Sequence, residues 1–313
     1  MKSATPAHNI LAPTPAIVAL VTLLALLWGG NSVFIKVGLR AMPPFSLTAA
    51  RLALGLAVIG CWAVVRRIPL RLQPGELLPH ATLAGLFLVQ VLALHGGTHF
   101  TLAAHSTVMM STYPLFTSLF AHLLIAGDRL TPRTVAGLAL GFAGVLATFA
   151  PELIAGGAPA SVLGSAVVLG SSGLLGLRTA VSKRMLHAVS AEKLLFWMLL
   201  LSLPAAIVLS LLAGEPARLR FDIGGLLAIG YVGVVIAGFC FLTWTAILAR
   251  YRASRLTVMF FATPLSGTFL SWWIVGDPLG PSLLVGALLV AGAIFVNAAP
   301  GPDRRRWNPV TRG

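Results

Sequence analysis

Charge is what this chain has least of. Its 313 residues include 8 acids and 22 lysines and arginines, 10% charged in all, where an ordinary soluble domain carries about 25%. Set beside 58% apolar residues and a mean hydropathy of +0.93, that scarcity excludes a water-soluble globular domain. Lysine is rarer still. Lys2, Lys36, Lys183 and Lys193 are the whole inventory and none follows glycine, so no Gly-Lys-Ser/Thr loop to cradle phosphates can be drawn. No stretch between apolar runs is long enough for a separate nucleotide-binding domain, which excludes ATP-driven pumping by this chain alone. The two cysteines, Cys61 and Cys240, sit in separate apolar runs without Cys-x-x-Cys spacing, which argues against a disulfide framework or a zinc site. His95 and His99 share an i, i+4 face, but no third ligand accompanies them, so neither a metal nor another cofactor is expected.

What the chain has in abundance is apolar runs of about the 17 to 25 residues that span a bilayer as a helix. Ten are expected, at 16–38, 45–65, 78–95, 104–126, 132–150, 160–182, 193–213, 224–248, 255–275 and 281–299. The first is too long for a secretory signal and lacks a small-x-small cleavage site. The expected class is an all-α polytopic membrane protein.

A net charge of +14 on a soluble chain would suggest nucleic acid, but these cations gather at alternate span ends, and no nucleic-acid partner is expected. With the N-terminus in the cytoplasm, inner segments hold Lys2, Arg66, Arg67, Arg71, Arg129, Arg133, Lys183, Arg184, Lys193, Arg250, Arg252, Arg255, Arg304, Arg305, Arg306 and Arg312, sixteen of the 22. Outer positions hold Lys36, Arg40, Arg218 and Arg220, while Arg51 and Arg178 fall within spans. The bias predicts a bacterial cytoplasmic (inner) membrane protein with both termini inside.

The halves resemble each other. Val108-Met109 before Pro114-Leu115 returns as Val258-Met259 before Pro264-Leu265. Gly127-Asp128-x-Leu130-x-Pro132 with Gly137 returns as Gly276-Asp277-x-Leu279-x-Pro281 with Gly286. The second block is the specific signal of a duplication. Five spans per copy is an odd number, so the second copy enters the membrane inverted. Pro278 and Ser282 accordingly replace the cations Arg129 and Arg133 on the opposite side. The expected organisation is a tail at 1–15, a first five-helix repeat at 16–150, a linker at 151–159, a second repeat at 160–299 and a basic tail at 300–313.

Trp28-Gly29-Gly30-Asn31 followed by Lys36, Arg51 early in the second span, and a proline-bearing fourth span running into Gly127-Asp128 resemble the EamA family of the drug/metabolite transporter superfamily. The likeness covers nearly the whole chain. Asp128 and Asp277 stand where that family usually has glutamate. The resemblance implies ten transmembrane helices in two inverted five-helix repeats around a central cavity. It also implies export or exchange of small organic solutes, with the amino-acid exporter branch the nearest likeness.

Candidate site residues follow from what is polar or broken within the spans. Glu76, Asp128, Glu152, Glu192, Glu215, Asp222, Asp277 and Asp303 all lie in loops, tails or span ends, leaving no mid-membrane carboxylate to relay protons or hold a hard cation. His95 and His122 are the titratable groups nearest membrane depth. Pro114 and Pro264 each remove a backbone donor, freeing the carbonyls of Met110 and Phe260, and a pair of broken helices is the usual pointer to a transporter site. Thr107, Met110, Ser111, Pro114 and Ser118 share one helical stripe, and Thr257, Phe260, Phe261, Pro264 and Thr268 share another. Asn31, Gln90, Tyr113, Arg178 and Trp244 are the remaining polar or amphipathic candidates. A cation within a span costs about 3 kcal/mol, so Arg178 is expected to face a cavity or a partner, or to snorkel. Trp28, Trp197, Trp272 and Trp273 read as interfacial anchors or packing. Gly137, Gly141 and Gly144 offer a small-residue face for close helix approach, within a monomer or across a homodimer. The expected partners are the lipid bilayer and a small-molecule substrate, an amino acid with an aromatic or other bulky side chain or a related metabolite, carried by alternating access. The alternative is an intramembrane serine protease, because Gly170-Ser171-Ser172-Gly173 fits a nucleophile pattern. Ser172 would need a base within hydrogen-bond reach, and the one later histidine is His187.

Overall fold

The computed structural model describes residues 14–124, 132–154, 159–186, 188–248, 259–260 and 262–298. Every regular element among them is helical. In chain order these are α1 (Pro15–Ala41), α2 (Pro44–Val65), α3 (Leu77–Phe100), α4 (Ala103–Met110), α5 (Tyr113–Leu124), α6 (Pro132–Ile154), α7 (Pro159–Met185) and α8 (Ala191–Leu212). A 3-10 turn (Glu215–Arg218) leads to α9 (Ile223–Gly230), which continues through a π-helical stretch (Tyr231–Cys240) into α10 (Phe241–Leu248). Last come α11 (Ala262–Leu270), a π-helical turn (Ser271–Val275) and α12 (Pro281–Ala298).

Six helices are long and apolar enough to cross a bilayer: α1, α2, α3, α8, the part of α7 over Ser161–Met185, and the run Ile223–Ile247. Shorter apolar helices cover Pro132–Thr148 and Pro281–Val296. The outer faces carry exposed Leu78, Leu163, Leu212, Ile223, Trp273, Leu288 and Phe295. A surface of that kind suits acyl chains, and helices satisfy their own backbone groups there. The chain is a polytopic α-helical membrane protein.

Helix ends follow local chemistry. The Thr14 hydroxyl accepts from the Ile17 N–H at 3.4 Å, Ser190 Oγ from the Lys193 N–H at 3.3 Å and Asp222 Oδ1 from the Gly225 N–H at 2.6 Å, each an N-cap. Proline opens α1, α2, α6, α7 and α12, where its missing N–H costs nothing. Gly276, at φ 82°, ends the π-helical turn in the left-handed conformation that favours glycine.

Packing follows the small residues. α6 lies along α12, where Gly144 and Gly286 approach so closely that a Cβ at either would meet the other's carbonyl at 2.9 and 2.8 Å. The close contact of Gly144 is therefore within the chain. Gly97 and Gly164 make the same kind of crossing between α3 and α7. α1 crosses α11 at Gly29, where a Cβ would reach the Thr263 carbonyl at 2.9 Å.

Three departures from the expected spans are informative. The expected helix at 104–126 is interrupted at Ser111–Thr112, and Pro114 falls in the first turn of α5, where its ring meets no helical carbonyl. The single span expected at 224–248 widens into π-helix over Tyr231–Cys240, where Gly233 and Gly238 meet Leu54 and Val58 of α2. α6 continues through Pro151 to Ile154, into the stretch expected as linker.

Candidate functional site

A cavity of about 140 Å³ lies among α1, α4, α5, α7, α8, α10 and α11. α1 contributes Trp28, Asn31 and Ser32; the α4–α5 break contributes Thr107, Met110, Ser111 and Tyr113. Leu175, Arg178, Thr179, Ser182 and Lys183 come from α7, with Leu186 beyond it, and Leu194, Leu195 and Met198 from α8. Phe241, Trp244, Thr245, Phe260 and Thr263 complete the wall.

Its aromatic side is one connected group. Trp28 lies 5.3 Å from Phe260 and edge-on to Trp244 at 6.2 Å, while Trp244 and Phe260 pack edge to face at 4.8 Å. Tyr113 reaches Phe260 at 6.3 Å. Edge-to-face aromatic packing holds such a wall stiff.

Polar side chains share the lining, though most of the exposed wall is apolar. The hydroxyls of Thr107 and Ser111 donate to the carbonyls of Ala103 and Thr107 in their own helix at 2.9 and 2.8 Å, so each can offer a ligand an acceptor but not its proton. Asn31 Oδ1 is buried without a partner. Arg178, 8% exposed, lays its guanidinium 4.8 Å from the Phe87 ring centre and 5.5 Å from that of Phe241. Its Nη1 donates to the Met198 sulfur at 3.5 Å, and its Nε has no partner.

The expected candidates divide. Asn31, Thr107, Met110, Ser111, Tyr113, Arg178, Trp244 and Phe260 line the cavity, whereas Thr257 and Phe261 lie outside the described residues. Gln90, His95, Pro114 and Pro264 are not among the lining residues. Gln90 Nε2 donates to Ser171 Oγ at 3.1 Å, and that hydroxyl donates back to the Gln90 carbonyl at 2.7 Å, a bond that joins α3 to α7. His95 is spent too. Arg51 Nη1 lies 3.3 Å from its Nε2 and Thr48 Oγ1 2.8 Å from its Nδ1, while the Thr48 hydroxyl donates to the Pro44 carbonyl at 2.8 Å. An arginine only donates, so Nε2 accepts and Nδ1 carries the proton in this network. His95 is thereby a packing histidine, and the described residues hold no metal cluster of three histidines, cysteines or carboxylates. The Met110 carbonyl freed by Pro114 is occupied, taking the Ser172 hydroxyl at 3.3 Å. Ser172 also meets Thr112 Oγ1 at 3.0 Å, and these bonds make it a helix-packing serine rather than a nucleophile.

Trp28, read from sequence as an interfacial anchor or packing residue, packs on Phe241, Trp244 and Phe260 and lines the cavity; its place one helical turn before Asn31 was the available signal. Lys36 was read as an outer cation and as part of the motif that opens the family resemblance, with no partner named. Its ammonium donates to the carbonyls of Thr98, His99 and Thr101 at 3.0, 3.0 and 2.7 Å, closing the C-terminus of α3. Asp277 Oδ2 accepts from the Ala104 N–H at 3.0 Å and from the Ser271 hydroxyl, so the turn from α3 to α4 is held from both sides. At the other end of α3, Glu76 Oε2 takes the Gln73 N–H at 2.7 Å and the Lys193 ammonium at 2.5 Å. The Gln73 N–H first and Lys193 second hold this carboxyl below the usual range.

A helical membrane bundle around a small cavity walled by aromatics is an arrangement suited to holding a small solute within a membrane. The comparisons agree: the model of the EamA-like transporter family matches residues 15–150 and again 162–299. The chain belongs to that family. It is 23% identical to an uncharacterized transporter of Bacillus subtilis, over 87% of this chain and 93% of that protein. It is 24% identical to an Escherichia coli protein named "Probable amino-acid metabolite efflux pump", over 89% and 93% of the two chains. A solved crystal structure at 23% identity superposes with a TM-score of 0.69 over 90% of this chain and 96% of the other, and shares the fold.

Proposed function

We propose that this chain exports or exchanges amino acids with aromatic or other bulky side chains, or related metabolites, by alternating access and without ATP. The observation that carries the reading is the cavity, whose exposed wall is mainly apolar and includes Trp28, Trp244, Phe260, Tyr113 and Met110. Such a wall suits a large apolar side chain; a sugar would leave hydroxyls unpaired against it. The names of the Escherichia coli and Salmonella typhimurium relatives, both "Probable amino-acid metabolite efflux pump", point the same way.

The proposed architecture is ten spans in two inverted halves, with both termini in the cytoplasm of a bacterial inner membrane, as a monomer or homodimer. Two family matches of similar length favour it. So do the helix pairings, which fall into equivalent couples when the halves are exchanged: α1 packs on α11 as α7 packs on α5, and α3 on α7 as the π-helical stretch on α1. α2 with α8 and α6 with α12 map onto themselves. The cavity lining runs to Ser182, Lys183 and Leu186, the end of α7 that the charge bias assigns to the cytoplasm, which fits an inward-facing state.

The test is counterflow of radiolabelled amino acids into liposomes holding the purified protein. Met110→Trp and Thr245→Trp fill the cavity and should block flux while expression and thermal stability stay near those of the parent. Normal transport by both, with blockage instead from a bulky residue on α6 or α12, places the pathway elsewhere.

A further inference from the structure

The cavity is lined by two cations, Arg178 and, where α7 ends, Lys183, and among the described residues by no acid. Arg178 offers five N–H donors in a planar fork, and among the described residues its hydrogen bond goes to the Met198 thioether at 3.5 Å, a weak acceptor. Its Nε, buried, meets no acceptor at all. No aspartate or glutamate lines the cavity. Four of the described acids are engaged elsewhere: Glu76 with Lys193, Glu215 with the N–H groups of Phe45 and Ser46, Asp222 with Gly225 and Asp277 with Ala104; the fifth, Glu192, lies on a different pocket beside Cys61 and Trp62.

An arginine placed this way is short of an acceptor. Its face is taken by Phe87 and Phe241 at 4.8 and 5.5 Å, so a ligand reaches it through its edge, where the N–H groups diverge to fit both oxygens of a carboxylate. The rings of Trp28, Trp244 and Phe260 form another part of the same wall. For an ammonium the cavity offers only neutral acceptors, of which Asn31 Oδ1 is the unpartnered one.

Resting on the reading of this cavity as the substrate site, we propose that Arg178 is its carboxylate-binding residue, and that the site takes aromatic and other bulky carboxylates for which the substrate's own ammonium is dispensable. An amino acid and the corresponding carboxylate without the amino group then bind alike, and the corresponding amine does not bind.

Quenching of tryptophan fluorescence in the purified full chain measures this directly, because Trp28 and Trp244 lie on the cavity. The probes are 3-phenylpropionate, L-phenylalanine, L-phenylalaninamide and phenylethylamine. The first two should quench with saturation and the last two should not, a comparison within the wild-type protein that no folding defect can confuse. Arg178→Gln should raise the Kd for 3-phenylpropionate about tenfold or more. Arg178→Lys, a point charge without the fork, should fall between. Phenylethylamine binding as tightly as 3-phenylpropionate, no quench by 3-phenylpropionate, or unchanged affinity in a folded Arg178→Gln protein would each overturn the assignment. The two readings fail separately. Arg178-dependent binding of 3-phenylpropionate without amino-acid counterflow removes amino acids as cargo and keeps the anchor. Amino-acid counterflow unaltered by Arg178→Gln keeps the transport reading and removes the anchor.

Discussion

Replacing Lys36 with methionine keeps the length of the side chain and removes its ammonium, which now bonds the carbonyls of Thr98, His99 and Thr101 at 2.7–3.0 Å. These are end-of-helix carbonyls that α3 cannot satisfy itself. A hydrogen bond to a charged group contributes about 1.5–3 kcal/mol. The three share one ammonium and are lost together, so the change should cost about 2–4 kcal/mol rather than three times the single figure. For a chain of this size that corresponds to a melting temperature lower by roughly 4–8 °C, read by thermal unfolding of the detergent-solubilised protein. The same bonds tie α1 to the α3–α4 turn, which the proposed orientation puts at the outer end, so their loss should also open that end. With Cys61 and Cys240 replaced, a cysteine at Met110 should react faster with a membrane-impermeant thiol reagent applied from outside when Lys36 is methionine. A Lys36→Met protein that melts with its parent and shows unchanged labelling would refute the claim that this lysine holds α1 to the α3–α4 turn.

Asp277→Asn keeps a side-chain oxygen for the Ala104 N–H and asparagine is a good N-cap, so flux and its response to a pH gradient should persist, while Asp277→Ala should lose about 1 kcal/mol of stability. Abolished flux in a folded Asp277→Asn protein would make this group a proton carrier rather than a cap. Gly286→Val would drive its new side chain against the Gly144 carbonyl, 2.8 Å from the Cβ alone, and should cost about 1–3 kcal/mol by overpacking; expression and melting like wild type would deny the close α6–α12 crossing. The Glu76 carboxyl has a lowered folded pKa, so its contribution is present above the unfolded value and lost as pH falls through the folded one. Amide exchange at the start of α3 should therefore accelerate on acidification below about pH 4 and lose that dependence in Glu76→Gln, whereas an identical pH profile in the variant would show that another group titrates there.

The class and the helices were legible because a bilayer demands long apolar runs, and α1, α2, α3 and α8 fall close to the expected spans. The α4–α5 break was legible only as a proline. Its position three residues earlier, at Ser111–Thr112, depends on Thr112 donating to the Met109 carbonyl and meeting Ser172, a contact made by α7. Gln90, His95 and Arg178 look alike in sequence, as polar residues inside apolar runs. Only the fold separates them: Ser171 meets Gln90 and Thr48 and Arg51 meet His95, whereas Arg178 meets rings and space. The Gly276-Asp277-x-Leu279-x-Pro281 block was read as a mark of duplication, and its chemistry appeared with the structure. Glycine stops one helix at φ 82°, aspartate caps α4 across the bundle, and proline starts α12.

The acids explain the electrostatics of the whole molecule. Glu215, Asp222 and Asp277 are each bonded to N–H groups in the first turn of a helix, α2, α9 and α4 respectively, where the helix dipole favours negative charge. Negative charge committed to helix ends is unavailable farther in, and the buried cations Arg51 and Arg178 are left without a carboxylate among the described residues. Arg51 settles on the His95 ring nitrogen. Arg178 settles on two phenylalanine rings, each such contact contributing about 0.5–2 kcal/mol against an insertion cost of about 3 kcal/mol. The rings offset much of the cost of holding the charge but supply no hydrogen-bond acceptor. A carboxylate brings two oxygens as well as the opposite charge, so it is the ligand that gains most from entering this cavity, while an amine must shed its water to meet a field of its own sign.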